Sequence, residues 1–203
     1  RLHPDICAYT SEVFYEGRLQ SEPGRQTQKV VGADPLSGVG IRFIPVDHEG
    51  HATDSDEEAE KIADLLAVLL GTDPRWTDVE GKHNRLNLED VLVVTPYNLQ
   101  VRAITEALPG ARVGTVDKFQ GQQGPISIYS MATSSADEAP RGMEFLYSLH
   151  RLNVATSRAR CIALVVASPH LLLVRCRTPG QMRLANALAR FVEIAATQCR
   201  PSP

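Results

Sequence analysis

Short, unbroken apolar runs set the strongest limit on how this chain can fold. Val91–Thr95 carries Leu92, Val93 and Val94 in succession, and Cys161–Ala167 is apolar from end to end. A strand with no polar alternate face has to be covered on both sides. That is the condition of a mostly parallel sheet with helices on its two faces. The segments between the runs supply the helices. Asp56–Leu70 opens with acidic residues behind a capping residue, Ser55, and places Ile62, Leu65, Leu66, Leu69 and Leu70 at i, i+3, i+4, i+7 and i+8 spacing.

The remaining pattern extends this alternation. Helices are expected over Asp5–Tyr15 and Asn98–Leu108, the latter stopped by Pro109-Gly110, and strands over Val39–Val46, Val113–Val116 and Pro125–Ala132. Two helical segments follow the polar loop at 133–141. A closing helix over Pro179–Ala196 sets Met182, Leu184, Leu188, Phe191, Val192 and Ala195 at helical spacing. Glu22–Gly40 and Gly71–Asn87 are polar and rich in turn formers, and read as exposed loops. The fold class is α/β, one domain over 1–203. Ligands of such sheets are expected in the loops at the carboxyl ends of the strands.

Composition narrows the function. The chain has 203 residues, 43% apolar and 22% charged, with a net charge of −3 that excludes a uniformly basic nucleic-acid binder. The charge is uneven, however. Residues 54–80 hold two Lys/Arg against nine Asp/Glu, whereas residues 141–203 hold nine against two. The last third therefore offers a cluster of arginines, either a phosphate site or a solvated surface. No apolar run approaches the roughly 20 residues that span a bilayer. The opening Arg1-Leu2-His3-Pro4 lacks a Met and a leader pattern, so it reads as cut from a longer chain. Four scattered cysteines, Cys7, Cys161, Cys176 and Cys199, suit a reducing cytoplasm and form no zinc pattern.

Three loops carry the polar chemistry. Thr95-Pro96-Tyr97-Asn98-Leu99-Gln100 offers a hydroxyl, an aromatic face and an amide for gripping a strand of nucleic acid, or else is an ordinary capped turn. Gly114-Thr115-Val116-Asp117-Lys118-Phe119-Gln120-Gly121-Gln122-Gln123 sets a glycine among amides, where a phosphate or ribose could approach. Arg151–Arg160 leads into the Cys161 strand; if this piece is helical, Arg158 is held on a short rigid element and could neutralise charge on a phosphoryl group, though a surface position is the commoner fate of an arginine. No G-x-x-x-x-G-K-[ST] occurs, and the single Gly-Lys pair, Gly81-Lys82, precedes His83. The chain thus has no phosphate cradle of its own and should not hydrolyse a nucleotide alone.

In this order the motifs resemble the second RecA-like domain of superfamily 1B helicases, in the branch of the nonsense-mediated-decay RNA helicase and the DNA-replication helicase/nuclease. Arg1-Leu2-His3-Pro4 with Phe14-Tyr15-Glu16-Gly17-Arg18-Leu19 is similar to that family's R-M-H-P and F-Y-x-G-x-L. Thr95-Pro96-Tyr97 with Gln100 resembles its T-P-Y-x-x-Q, Val116–Gly121 its motif V and Leu152–Arg160 its motif VI. Ser130–Ser135 and Pro140–Leu146 resemble a bacterial subgroup fused to a RecB-like nuclease.

The resemblance implies a RecA-like fold of the P-loop NTPase type and an ATP site, with its Mg2+, bound mainly by a first RecA-like domain of the same chain. Arg158 would be the arginine finger, Arg1 a second γ-phosphate contact, and Gln120, Gly121 and Gln123 neighbours of the nucleotide. Thr95, Pro96, Tyr97, Thr115 and Asp117 would grip single-stranded nucleic acid, with DNA favoured over RNA. Gln123 stands where the family usually has Glu, so ribose recognition would rest on a neutral amide. Leu2 for Met conserves volume. The rival from another class is a non-catalytic RecA-like module that binds nucleic acid or protein.

Other constellations are weaker. His48-Glu49-Gly50-His51 lacks the interval of H-E-x-x-H, and no metal site is expected. A nuclease reading from Pro4-Asp5 and Glu80-Gly81-Lys82 lacks a strand to hold its carboxylates together. His150 and His170 are expected as packing or capping residues.

Overall fold

The computed structural model describes residues 2–119 and 121–198; the expectations for Arg1 and Gln120 fall outside them. In chain order the first elements are helix α1 (Pro4–Phe14), strands β1 (Lys29–Val31) and β2 (Gly40–Pro45), helix α2 (Asp56–Leu70), and strands β3 (Arg75–Thr77) and β4 (His83–Arg85). Then come β5 (Val91–Thr95), α3 (Asn98–Ala107), β6 (Arg112–Thr115), β7 (Gly124–Ser130), α4 (Met143–Leu146), α5 (Leu149–Thr156), β8 (Ala159–Ala167) and α6 (Pro179–Gln198).

The main sheet is five parallel strands in the order β2-β8-β7-β5-β6. This is an α/β RecA-like arrangement. Because successive side chains alternate across a strand, the apolar runs feed two cores. Leu92 and Val94 of β5 join Ile6, Tyr9, Leu152, Leu188 and Phe191 from α1, α5 and α6. Val91 and Val93 join Ile62, Leu66, Leu69 and Ile104 from α2 and α3. Every residue of β5 and of β7 is buried, as the absence of a polar face required. Of the closing helix, Phe191, Leu188 and Ala195 are buried, but Met182, near its start and ahead of the first buried residue, Ala187, is 55% exposed.

The two expected loops are where the structure differs most. Glu22–Gly40 and Gly71–Asn87 contribute β1, β3 and β4, which pair antiparallel in a separate sheet of order β1-β3-β4. Three-residue strands are too short to show an alternating pattern against turn-forming neighbours. Their anchor is tertiary: Val30 is buried against the second core, and the Arg160 guanidinium lies 5.6 Å from the Trp76 ring.

Local chemistry fixes α2 and its neighbours. Ser55 accepts from the Glu58 amide, and three acidic residues occupy the first turn, where the helix dipole favours negative charge. The buried amide of Gln100 then ties α3 to this cap. Its Oε1 accepts from the Ser55 amide at 2.7 Å, and its Nε2 donates to Ser55 O at 3.1 Å and Ser130 Oγ at 2.9 Å. Replacing it leaves the buried Ser55 amide without its acceptor, whereas Ser55 O keeps the Ala59 amide and Ser130 Oγ keeps Glu58. Gln100→Leu should therefore lower unfolding free energy by on the order of 1–3 kcal/mol in urea titration. A change under half a kcal/mol would show that these bonds contribute nothing net.

Candidate nucleotide and nucleic-acid interface

Arg158 stands at the amino edge of the sheet, not in a loop at the carboxyl ends. It lies in the turn between α5 and β8, and its carbonyl accepts from the Gly124 amide at the start of β7. The register there is irregular: Gly124 faces Ala159 but Ile126 faces Ile162, so β8 bulges beside the arginine. Bulges re-aim neighbouring side chains. A side chain at Gly124 would also collide with the Asp90 carbonyl, so only glycine admits this close approach. The guanidinium is braced on backbone oxygens, Nε to Val154 O at 3.2 Å and Nη1 to Gln122 O at 3.5 Å.

Two hollows flank it. One, of about 270 Å³, is lined by Leu2, Thr10, Tyr15, Leu19, Ser157 and Arg158 among others. The stretch resembling R-M-H-P and F-Y-x-G-x-L thus meets the end of α5: the His3 amide donates to Arg160 O, Ser21 Oγ to Leu2 O, and Asn153 Nδ2 to the Tyr15 hydroxyl. The other, of about 160 Å³, is lined by Val116, Asp117, His150, Val154 and Arg158. Asp117, expected to grip a single strand, lines this hollow together with Arg158. His150 is exposed, neither packed nor a cap, which corrects the sequence expectation. Gly121 has a left-handed φ of 82° and open space around it.

This edge is short of donors. Thr10 Oγ1, Gln123 Oε1 and Asn153 Oδ1 are buried and make no hydrogen bond among the described residues. Buried oxygens of that kind normally find a partner. Ribose hydroxyls or a base amino group would supply one, so the residues present fit a nucleotide.

The carboxyl edge carries the other expected group. Thr95 is 0% exposed, Pro96 is buried and Tyr97 is 7% exposed, so these three form the floor of the edge rather than its surface. Thr115, at the end of β6, is half-buried. Burial pushes the Tyr97 and Tyr129 hydroxyls above their ordinary pKa, with Arg151 acting in the opposite direction on both. Over Tyr97 lies Phe145, ring centroids 5.5 Å apart, and the Arg141 and Arg151 guanidiniums each lie 4.0 Å from the Phe145 centroid. Sequence reading missed Arg141, Phe145 and His150. Only the local arginine excess signalled the first.

Behind this edge a fully buried carboxyl group holds the loops. Glu58 Oε1 lies 3.0 Å from His48 Nε2, while Oε2 accepts from Ser130 Oγ at 2.6 Å and from the Ala132 amide at 3.0 Å. His48 Nδ1 is 2.7 Å from Ser134 Oγ, and His51 pairs with Glu57 at 3.2 Å. Both histidines of His48-Glu49-Gly50-His51 are thereby engaged with α2.

Comparison with known proteins places the chain. Residues 1–170 match the family model described as an AAA domain, AAA_12. The chain belongs to that family. Helicase sen1 of Schizosaccharomyces pombe is 28% identical over 186 residues, 83% of this chain and 10% of that protein. An uncharacterized ATP-dependent helicase of Caenorhabditis elegans, C05C10.2, is 31% identical over 176 residues, 82% of this chain and 11% of its own length. A putative helicase of Danio rerio, mov-10-B.1, is 27% identical over 207 residues, covering 85% and 19%. This AAA domain is therefore of helicase type, and it spans only a tenth to a fifth of these relatives. Among the described residues no helix is long and apolar enough to cross a membrane.

One residue of the AAA domain's opening stretch titrates informatively. His3 Nδ1 accepts from the Asp5 amide at the start of α1, and burial holds its pKa below the usual histidine value against the opposing pull of Asp5 and the Gln26 backbone. The folded state thus binds fewer protons than the unfolded one. The His3 contribution is fully present above about pH 6.5 and fades as pH falls through the lowered folded value. Denaturation of wild type and His3→Asn across pH 5–8 should show wild type losing stability relative to the variant on acidification. A constant difference would contradict it.

Proposed function

We propose that this chain is the second RecA-like domain of an ATP-dependent helicase or translocase motor of superfamily 1B type, inactive as an ATPase by itself. The observation that carries the reading is Arg158, held at the amino edge by a strand irregularity and two backbone carbonyls, between hollows lined by motif residues. A first RecA-like domain of the same protein would bear the phosphate cradle and most of the contacts to ATP and Mg2+. Bound ATP supplies the phosphoryl group whose transfer to water drives movement of the two domains.

The residues of this chain have distinct tasks. Arg158 presents a planar guanidinium, positively charged at any working pH, to the γ-phosphate from across the cleft. Because it is already braced on Val154 and Gln122 carbonyls, little ordering remains when charge builds on the phosphoryl oxygens. Arg1 is proposed as a second γ-phosphate contact. Gln120, Gly121 and Gln123 lie beside the nucleotide, with Gln123 Oε1 accepting from a ribose hydroxyl. Thr95, Pro96, Tyr97 and Thr115 support the strand-gripping edge. Asp117, beside Arg158, connects the strand to the nucleotide side. The strand is single-stranded nucleic acid, DNA before RNA, and the setting is intracellular, as in a nuclease-fused subgroup.

The neutral Gln123 favours a second reading, a RecA-like module that binds without turnover. Steady-state ATPase of the intact protein separates the two. In that protein Arg158→Ala should bind a non-hydrolysable ATP analogue within a few-fold of wild type, while strand-stimulated turnover drops by on the order of 10³-fold or more. Turnover at the wild-type rate would remove the arginine-finger role. An inactive wild type would favour the binding module.

A further inference from the structure

The stack at the carboxyl edge has a charge problem that the fold does not solve internally. The Arg141 and Arg151 guanidiniums both lie 4.0 Å from the centre of the Phe145 ring. A guanidinium plane at that distance covers a ring face, so the two occupy opposite faces. Ring quadrupole attraction holds each cation in place. Among the described residues, however, neither arginine has a carboxylate at salt-bridge distance or a hydrogen-bond acceptor. The two acidic residues nearest Arg141 in the chain are turned elsewhere: Gln181 Nε2 donates to Glu144 at 3.1 Å, and Glu138 accepts from the Gly50 amide and the Ser135 hydroxyl.

The Tyr129 hydroxyl, 1% exposed in its residue, is buried and without a hydrogen bond among the described residues; burial holds it protonated, Arg151 pulls the other way, and Tyr97 and Glu58 add to the rise. Arg141 is exposed and Arg151 is half-buried. The stack sits on the edge opposite Arg158, so it is not a part of the nucleotide side.

We infer that the Arg141–Phe145–Arg151 stack is a phosphate clamp for the backbone of single-stranded nucleic acid. The inference rests on the helicase reading proposed above and deepens it by naming the strand's charged contact. The ring keeps the two guanidiniums apart at a fixed spacing and leaves their N–H edges free for phosphate oxygens, a separation suited to successive phosphates of an extended strand. Such a clamp reads backbone, not sequence. The Tyr97 ring packs beside the Phe145 ring, with centroids 5.5 Å apart.

The test is equilibrium binding of a fluorescent oligothymidylate to the intact protein over a salt series, without nucleotide. Each lost phosphate contact should reduce the slope of log K against log salt by about 0.7, so Arg141→Gln should lower it by about 0.7 and the Arg141→Gln/Arg151→Gln pair by about 1.4. Arg102→Gln, which removes an exposed arginine paired with Glu106 on α3, should leave the slope unchanged and thereby exclude a net-charge effect. Thermal midpoints within a degree or two of wild type would confirm that Arg141→Gln folds normally. If wild type binds with a salt slope that both stack variants share, the clamp is wrong and the helicase reading stands. If the variants raise the KM for ATP without changing the slope, the stack serves the nucleotide and the inference is overturned. If wild type binds no strand at all, the underlying reading falls with it.

Discussion

Glu58 is the residue on which the functional edges depend. A carboxyl group with no solvent contact is costly unless each oxygen is bonded, and here one oxygen meets His48 while the other takes the Ser130 hydroxyl and the Ala132 amide. These partners come from the ends of β2 and β7, so one side chain of α2 fixes two loops. Ala132 has a φ of 66°, a left-handed conformation that costs a residue with a Cβ roughly 1–2 kcal/mol. The bond from its amide to Glu58 helps to hold that turn. Ser130 also receives the Gln100 amide, so the loop after β5 is locked to the same group.

A sheet fixed in this way separates two kinds of chemistry. β7 runs seven residues from Gly124, bonded to the Arg158 carbonyl, to Ser130, bonded to Glu58. At about 3.3 Å per residue, the two ends lie roughly 20 Å apart. A rigid parallel strand buried on both faces is a poor hinge but a good strut. Displacement of the arginine edge by a nucleotide would move the aromatic and arginine edge as one body. In the proposed motor, that is how a phosphate contact at one side becomes a shift of the strand at the other.

The sequence made the strut legible and left much of its dressing hidden. β5 and α2 were readable to the residue, because an unbroken apolar run and a capped 3.6-residue periodicity are local signals. The antiparallel sheet of β1, β3 and β4 was not, since three-residue strands declare themselves only when their Val30 and Trp76 pack on the second core. Motif spacing singled out Arg158 as a candidate but not its edge: the carboxyl-end rule for open α/β sheets describes a domain that carries its own phosphate cradle, and this chain has none. The burial of Tyr97 was equally invisible, because an aromatic residue in a polar turn reads as exposed until Phe145, 48 residues later, is known to pack on it. Arg141 and Phe145 lay in a stretch without periodicity, and only their tertiary stacking gives them meaning.

The central claim is that Arg158 faces the nucleotide from the amino edge while the strand lies along the opposite one. Its most direct test is a structure of the intact protein with ADP–aluminium fluoride and a single-stranded oligonucleotide. The account predicts the Arg158 guanidinium within about 3 Å of the fluoride that mimics the γ-phosphate, with strand phosphates at the Tyr97 side of the sheet. A nucleotide bound against Tyr97, or an Arg158 turned away from the fluoride, would contradict it.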